Sequence, residues 1–371
     1  MNQKNKTLNL MTSLGGDTLG VIGINLLKQF KNNNIDVSLF PIPVAEKLYF
    51  NDQDEYDISL GAIRYSRNFD YKAPTLKIWH PHDLAVKPGS GKYYVFVIPY
   101  GNSFTSSEVH HLNFADGIFS HSDEIIDILK KHKVKPKIYK IDLGINTDIF
   151  TKTDNDKSND DPYIFYSLGK WSLANGHDVV IRCFNETFDE NDNVSLRLLP
   201  HNEFLTDEEE NKWFKLIEDS KLKNKITVYN KLNNQYELSN FIADSDCFLS
   251  LGRIVHSGLT TLETISMGKP IIYTDIGMNK QYSIVNNTPI IMTNKQAAHD
   301  NRLLFGESDW FSFDDEQISA IKDAMKYNFT NKIRSNTISK DFIDKYSWVN
   351  TAKSISDTIF LPKNKKTKTK V

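Results

Sequence analysis

Twice along the chain a short apolar strand runs through glycine into a segment whose apolar residues recur at helical spacing. This repeated pattern constrains the fold more than any other feature. Residues 8–12 lead through Gly15 and Gly16 to Asp17, a good N-cap. Leu19, Ile22, Gly23, Leu26, Leu27 and Phe30 then share one helical stripe until three asparagines, Asn32 to Asn34, stop it. Further strands are expected at 36–40, 76–79, 93–98, 117–120 and 138–141, with a helix over 123–132 capped by Ser122. The second half repeats the pattern, with strands at 163–168, 195–199, 226–229, 247–251 and 270–274. Its helices are expected at 177–186, 207–220, 235–243 and 259–267. Strands alternating with helices pair in parallel, so the expected class is α/β, with two doubly wound, Rossmann-like domains.

Residues 151–162, TKTDNDKSNDDP, offer no large apolar side chain to bury and read as a linker. The expected domains are therefore 1–150 and 163–340, followed by a helical segment at 341–362 and a basic tail at 363–371. Ligands of open parallel sheets bind beyond the strand carboxyl ends, so two such domains predict a central cleft suited to a two-substrate reaction. With 45 basic and 47 acidic residues the formal charge is −2, and no global field recruits nucleic acid or anionic membrane. Cys183 and Cys247 are too few for a disulfide scaffold or a cysteine zinc site, and fit a reducing compartment. No apolar run approaches the ~18 residues needed to span a bilayer, and the amino-terminal stretch lacks a secretory core, so a cytoplasmic location is expected.

Chemistry concentrates in residues 249–270, LSLGRIVHSGLTTLETISMGKP, where a strand, a Ser-Gly turn and a helix follow one another. Backbone N–H groups from His256 through Ser257, Gly258, Leu259 and Thr260 would leave the helix N-terminus and make an anion site, with Gly258 admitting a phosphate close to the backbone. Glu263, a turn further on, could accept paired hydrogen bonds from a ribose diol. The alternative is an ordinary strand-turn-helix unit with a solvated glutamate.

In the first half, KIWHPHDL places His80, His82 and Asp83 just after a strand, at the expected cleft. These residues suit hydrogen bonding to a sugar or acceptor hydroxyl, or a capped structural loop. Zinc binding would need further ligands, and none stands downstream at a recognisable spacing. IPYGNSF likewise brings Tyr100, Gly101 and Asn102 to a strand end, while His110 and His111 would begin or flank a helix. Tyr163, Phe165 and Tyr166, at strand spacing, read as core. No phosphate-binding G-x-x-x-x-G-K-[ST] loop, G-x-G-x-x-G fingerprint or G-x-S-x-G elbow occurs, which removes the kinase, simple dehydrogenase and serine hydrolase readings.

Four ordered segments resemble the retaining nucleotide-sugar glycosyltransferases of family four, which have the two-domain GT-B fold. LGINTDIF (143–150) is similar to the family's G-V-D-x-x-x-F segment, and SLGKWSLANGHDVVIRCF (167–184) to its G-R-L-x-x-x-K-G unit. DSDCFLSLGRIVHSGLTTLETISMGKPII (244–272) is similar to the donor signature, and KYSWVNTAKSISDTI (345–359) to the closing helix that crosses back to the first domain. The resemblance implies a sugar moved from a nucleotide-diphosphate donor, a UDP-sugar among the candidates, held by the second domain, to a hydroxyl acceptor held by the first. It implies retention of configuration and no metal or other cofactor.

Carried over by position, Lys170 takes the place of the diphosphate arginine and Glu263 that of the ribose glutamate. Gly258, Leu259 and Thr260 match the segment cradling the diphosphate, Gly15 and Gly16 the first-domain loop against it, and Arg253 an arginine that organises the site. The family's second donor lysine is Asn175 here, and the glutamate eight positions before Glu263 is Val255, with His256 beside it as a possible donor contact. The expected catalytic group is His82, Lys170 and Glu263. Donor contacts would add Gly15, Gly16, Asn175, Arg253, His256, Ser257, Gly258, Leu259 and Thr260; acceptor contacts would be His80, Asp83, Tyr100 and Asn102. The acceptor itself stays open among a glycan, a metabolite, a protein and a modified nucleic-acid base. Asn175 and Val255 keep two alternatives in play: a catalytically silent sugar-nucleotide-binding or scaffold protein, and an NDP-sugar epimerase of the same fold.

Overall fold

A computed structural model describes residues 6–43, 48–152, 157–282, 287–300 and 304–360. The first half builds β1 (Lys6–Thr12), α1 (Thr18–Asn32), β2 (Ile35–Pro41), α2 (Gln53–Tyr65), β3 (Thr75–Trp79), β4 (Tyr93–Val97), α3 (Ser106–Leu112), β5 (Gly117–Ser120), α4 (Asp123–Lys131) and β6 (Lys137–Lys140). These six strands form one sheet in the order β2-β1-β3-β4-β5-β6, every pairing parallel. α1 forms where the stripe requires it: Leu19, Ile22, Leu26, Leu27 and Phe30 are each at most 2% exposed. Burial of such a side chain contributes about 1.5–3 kcal/mol. Asp17 caps the helix through Oδ1, which accepts from Gly20 N at 2.8 Å.

The second half builds β7 (Tyr163–Leu168), α5 (His177–Thr187), β8 (Val194–Leu199), α6 (Asp207–Glu218), β9 (Ile226–Val228), α7 (Gln235–Ala243), β10 (Cys247–Ser250), α8 (Leu259–Ser266), β11 (Ile271–Thr274), α9 (Gly277–Gln281) and β12 (Thr288–Ile290). Its parallel sheet runs β12-β11-β10-β7-β8-β9. An antiparallel hairpin, β13 (Lys295–His299) and β14 (Phe305–Phe311), follows, then α10 (Asp315–Thr330), α11 (Lys340–Lys345) and α12 (Trp348–Phe360). α12 packs against α1 of the first domain. It is tied there by Thr351 Oγ1, which donates to Asp142 O at 2.8 Å, and its preceding turn by Ile145 N, which donates to Tyr346 O at 2.9 Å. The lysine tail at 363–371 lies outside the described residues, as do 153–156 of the expected linker.

Strand order reverses between β1 and β3 in the first sheet and between β7 and β10 in the second. Ligand crevices open at such points, beyond the strand carboxyl ends. Here those ends lead into Gly15 and Gly16, into His80, into Lys170, and into the turn before α8. Tyr163, Phe165 and Tyr166 are fully buried core. His110 and His111 do not begin a helix; they occupy the last turn of α3, whose start is set by a capping box between Thr105 and Glu108. No helix among the described residues is long and apolar enough to cross a membrane.

Candidate active site

The crevices of the two sheets merge into one cleft of about 1090 Å³. The first domain lines it with Gly16, Asp17, His80, His82 and Tyr100, and the second with Lys170, Asn175, His256, Ser257 and Thr260. Gly16 permits this approach: a Cβ there would lie 2.8 Å from the Tyr49 ring.

On the second-domain wall, Lys170 leaves the end of β7 and sets its Nζ 2.9 Å from Oε1 of Glu203 and 4.6 Å from the centre of the Phe204 ring. The loop is clasped by Asn175, whose Nδ2 donates to Lys170 O at 2.8 Å. Thus the position where the resemblance has a second lysine instead braces the first. His256 is 8% exposed, and burial, with His121 nearby, holds its pKa down to about 4, so the imidazole is neutral. Its carbonyl accepts from His121 Nε2 of the first domain at 2.7 Å, which ties the α8 turn to the opposite wall. Ser257 and Thr260 complete the surface where the first N–H groups of α8 emerge.

Five expected donor contacts are placed differently. Gly258 does not open a path for phosphate: the space a Cβ would occupy is closed by Met278, 2.6 Å away, and by Tyr282, while its φ of +58° makes it the left-handed N-cap of α8. Leu259 is 6% exposed and joins the core. Gly15 pairs with Leu48 in an isolated bridge and does not line the cleft. Arg253 turns away, its guanidinium forming a bidentate pair with Asp178 at 2.9 and 2.7 Å and donating to Leu173 O. Glu263 is 3% exposed beneath the cleft floor, one turn beyond Thr260. Its Oε1 accepts from Gln235 Nε2 at 3.3 Å, and burial raises its pKa to about 8.

On the first-domain wall the His80 and Tyr100 rings stack at 4.1 Å and 22°. His82 lies nearly parallel to both, at 12° to His80 and 16° to Tyr100. Burial is the main cause that lowers the pKa of His80 to about 4, and the neighbouring His82 and then Lys170 across the cleft add to it. His80 is therefore a neutral ring. Asp83 does not face an acceptor; it turns to Lys77, 3.6 Å away, whose buried ammonium needs a counter-charge. Asn102 is also withdrawn, its Oδ1 accepting from Asp309 N of the hairpin at 2.9 Å. It lines a separate small cavity with Val255 and Arg253. Among the described residues no group of three or more His, Cys, Asp or Glu side chains is placed to hold a metal ion.

Two contributors escaped sequence reasoning. Glu203 was hidden in PHNEF, although a polar loop at a strand carboxyl end is the signal that could have found it. The hairpin adds His299, Asp300 and Leu304 to the cleft and carries Ser308 against Gly101. Only Ala298, Ser308 and Trp310 of its strands are buried, too few to print a clear alternation.

Residues 148–333 match the family model described as glycosyl transferases group 1. No curated protein matches the sequence. Among solved structures, the chain is similar to sucrose-phosphate synthase from Thermosynechococcus elongatus, with a TM-score of 0.68, 11% identity, and coverage of 95% of this chain and 98% of that one. It is similar to Anabaena HepE in complex with UDP and glucose, with a TM-score of 0.65, 10% identity, and 95% and 99% coverage. It is also similar to a glycosyltransferase from Rickettsia africae, with a TM-score of 0.65, 14% identity, and 98% and 100% coverage. At these identities the likeness concerns the fold, which is GT-B.

Proposed function

The chain belongs to the glycosyl transferases of group 1, and from that premise we propose that it moves a sugar from a nucleotide-diphosphate donor to a hydroxyl acceptor, with retention and without a metal. The observation that carries this reading is the convergence of Lys170, Ser257 and Thr260 on one wall of the cleft, facing Gly16, His82 and the His80–Tyr100 stack on the other. As the glycosidic bond breaks, negative charge grows on the leaving diphosphate. Lys170 and the N–H groups at the start of α8 would stabilise it, and one such preorganised donor is typically worth about 3 kcal/mol. The acceptor hydroxyl would approach from the first-domain wall. His82, exposed beside the stack, is the side chain best placed to accept a hydrogen bond from it. Closure of the two walls would exclude the water that otherwise hydrolyses the donor.

Anabaena HepE was solved with UDP and glucose, so UDP-sugars are the first donors to test here. A thermal-shift screen against UDP-, GDP-, ADP- and TDP-sugars, with and without EDTA, tests the reading. A ligand at ~100 times its dissociation constant adds about 2.7 kcal/mol. Stabilisation by one nucleotide class, unchanged by EDTA, supports it. Stabilisation that EDTA abolishes contradicts the metal-independent part, and no stabilisation contradicts the whole.

A further inference from the structure

The first sheet turns its strand carboxyl ends to the cleft, so the opposite pole of that domain gathers the strand amino ends. Thr75 pairs with Tyr93, Tyr94 with Gly117, and Gly117 with Lys137, so β3, β4, β5 and β6 begin at one level. At about 4.8 Å between neighbouring strands, the loops entering them form a row roughly 15 Å long. The loops are joined to one another: Ser90 N donates to Tyr71 O at 2.6 Å, and Lys135 N donates to Asn113 Oδ1 at 2.8 Å.

The row is basic. Lys72, Lys92, Lys133, Lys135 and Lys137 are exposed, and among the described residues none of them is ion-paired, whereas Lys130 and Lys140 nearby are held by Asp127 and Asp123. The two acids in the same loops cap backbone: Asp70 Oδ1 accepts from Lys72 N at 2.9 Å, and Asp116 Oδ2 from Tyr93 N at 2.7 Å. Lysines also gather at helix carboxyl ends and guard edge strands. Neither role reaches Lys72 or Lys92, which enter the interior strands β3 and β4 with no α-helix ending beside them in the sequence. Among these lysines stand two exposed rings, Phe114 at 51% and Tyr71 at 56%. Phe114 leans edge-on against His110 at 4.9 Å, and Lys72 Nζ lies 5.6 Å from the centre of the Tyr71 ring.

We propose that this pole is a peripheral docking surface for an anionic lipid bilayer, which holds the protein by its first domain with the cleft on the far side of the sheet. Lysine ammoniums are point charges without the planar fork that reads a single phosphate, and suit a diffuse layer of anionic headgroups. The rings supply the second signal that stable interfacial binding needs, by entering the boundary between headgroups and acyl chains. They sit on loops two strands apart, about 10 Å, farther than successive stacked bases of a nucleic acid. Lys6, which begins β1 at the same pole, has its Nζ 5.5 Å from the centre of the Phe360 ring at the end of α12. Residues 363–371 follow three positions later in the sequence with five further lysines. Being of like charge, they cannot neutralise the row, so its counter-charge comes from outside the chain. The inference is independent of the donor reading.

The test is co-sedimentation of the full chain with vesicles of phosphatidylcholine alone, and of phosphatidylcholine with phosphatidylglycerol in a roughly 2:1 ratio. The wild type is expected to bind only the anionic vesicles, with a partition coefficient that falls at least about tenfold between about 50 and about 300 mM salt. Lys133→Glu/Lys135→Glu/Lys137→Glu and, separately, Lys72→Glu/Lys92→Glu lower it at least about tenfold. Lys215→Glu/Lys223→Glu/Lys340→Glu, the same change on exposed lysines elsewhere, lowers it less than about threefold. Phe114→Ser lowers it about threefold or more at low and high salt alike. Denaturant midpoints check folding, and the two sets on different loops keep the test decisive if one variant does not fold. A wild type that ignores anionic vesicles or binds neutral ones equally overturns the proposal, as do equal losses in patch and control variants. Binding of a single-stranded oligonucleotide in place of vesicles, lost in the patch variants, also overturns it and assigns the row to nucleic acid.

Discussion

Lys170 Nζ lies 2.9 Å from Glu203 Oε1, so the ammonium best placed to meet a diphosphate is already held by a carboxylate of the same wall. His201 Nε2 sits 3.7 Å from the other oxygen of Glu203. A diphosphate must take the lysine from Glu203 while lying close to that carboxylate. Glu203→Gln keeps the shape and removes the charge, and is expected to tighten nucleoside diphosphate binding about threefold, the modest scale of a half-exposed ion pair. Calorimetric titration of both proteins checks this; weaker binding by the variant would show that Glu203 holds Lys170 productively instead.

Glu263 titrates in the folded protein near 8, well above its ordinary value of 4.5, because it is buried. Between those two values the folded state binds more protons than the unfolded one. This contribution to stability is fully present below about pH 4.5 and falls as pH rises through 8, at up to about 1.4 kcal/mol per pH unit. Glu263→Gln removes that slope. Denaturant midpoints from acid to mildly alkaline pH should therefore decline less for the variant, and parallel curves would contradict the burial.

His80 is neutral throughout the working range, since burial lowers its pKa to about 4. Its contribution to a pH–rate profile is consequently flat. His80→Asn should change the rate without moving any limb of the profile between about pH 5.5 and 8. The loss of a limb in the variant would mean that His80 is protonated during the reaction.

Gly258 combines a φ of +58° with a Cβ direction closed by Met278. Gly258→Ala incurs about 1–2 kcal/mol for the left-handed backbone alone, and more for the 2.6 Å contact. Chemical denaturation should show a destabilisation of at least that size. A variant as stable as the parent would mean that the α8 turn can relax at no cost.

The doubly wound architecture was legible because its strands and helices carry their own pattern. Tyr163 to Leu168 is entirely buried and reads as one apolar run, and the stripe of α1 repeats without a break. α2 was missed for the opposite reason: among Gln53 to Tyr65 only Glu55, Ser59 and Ala62 are buried, so no apolar face appears in the sequence. Lys170 and Thr260 reach the cleft because strand ends and helix starts set their places. The directions of Arg253, Asp83 and Asn102 depend on Asp178, Lys77 and the hairpin, partners that local spacing does not name. Gly258 looked like a phosphate contact because its sequence context shows the missing side chain but not Met278 beneath it.

The central claim is that the cleft binds a nucleotide-diphosphate donor through Lys170. Calorimetric titration of wild type and Lys170→Ala with UDP, GDP, ADP and TDP tests it most directly. One nucleotide should bind the wild type with a defined stoichiometry and bind the folded variant at least about tenfold more weakly, as expected for loss of a charged partner. Binding of equal strength to both proteins, or to neither, would contradict the account.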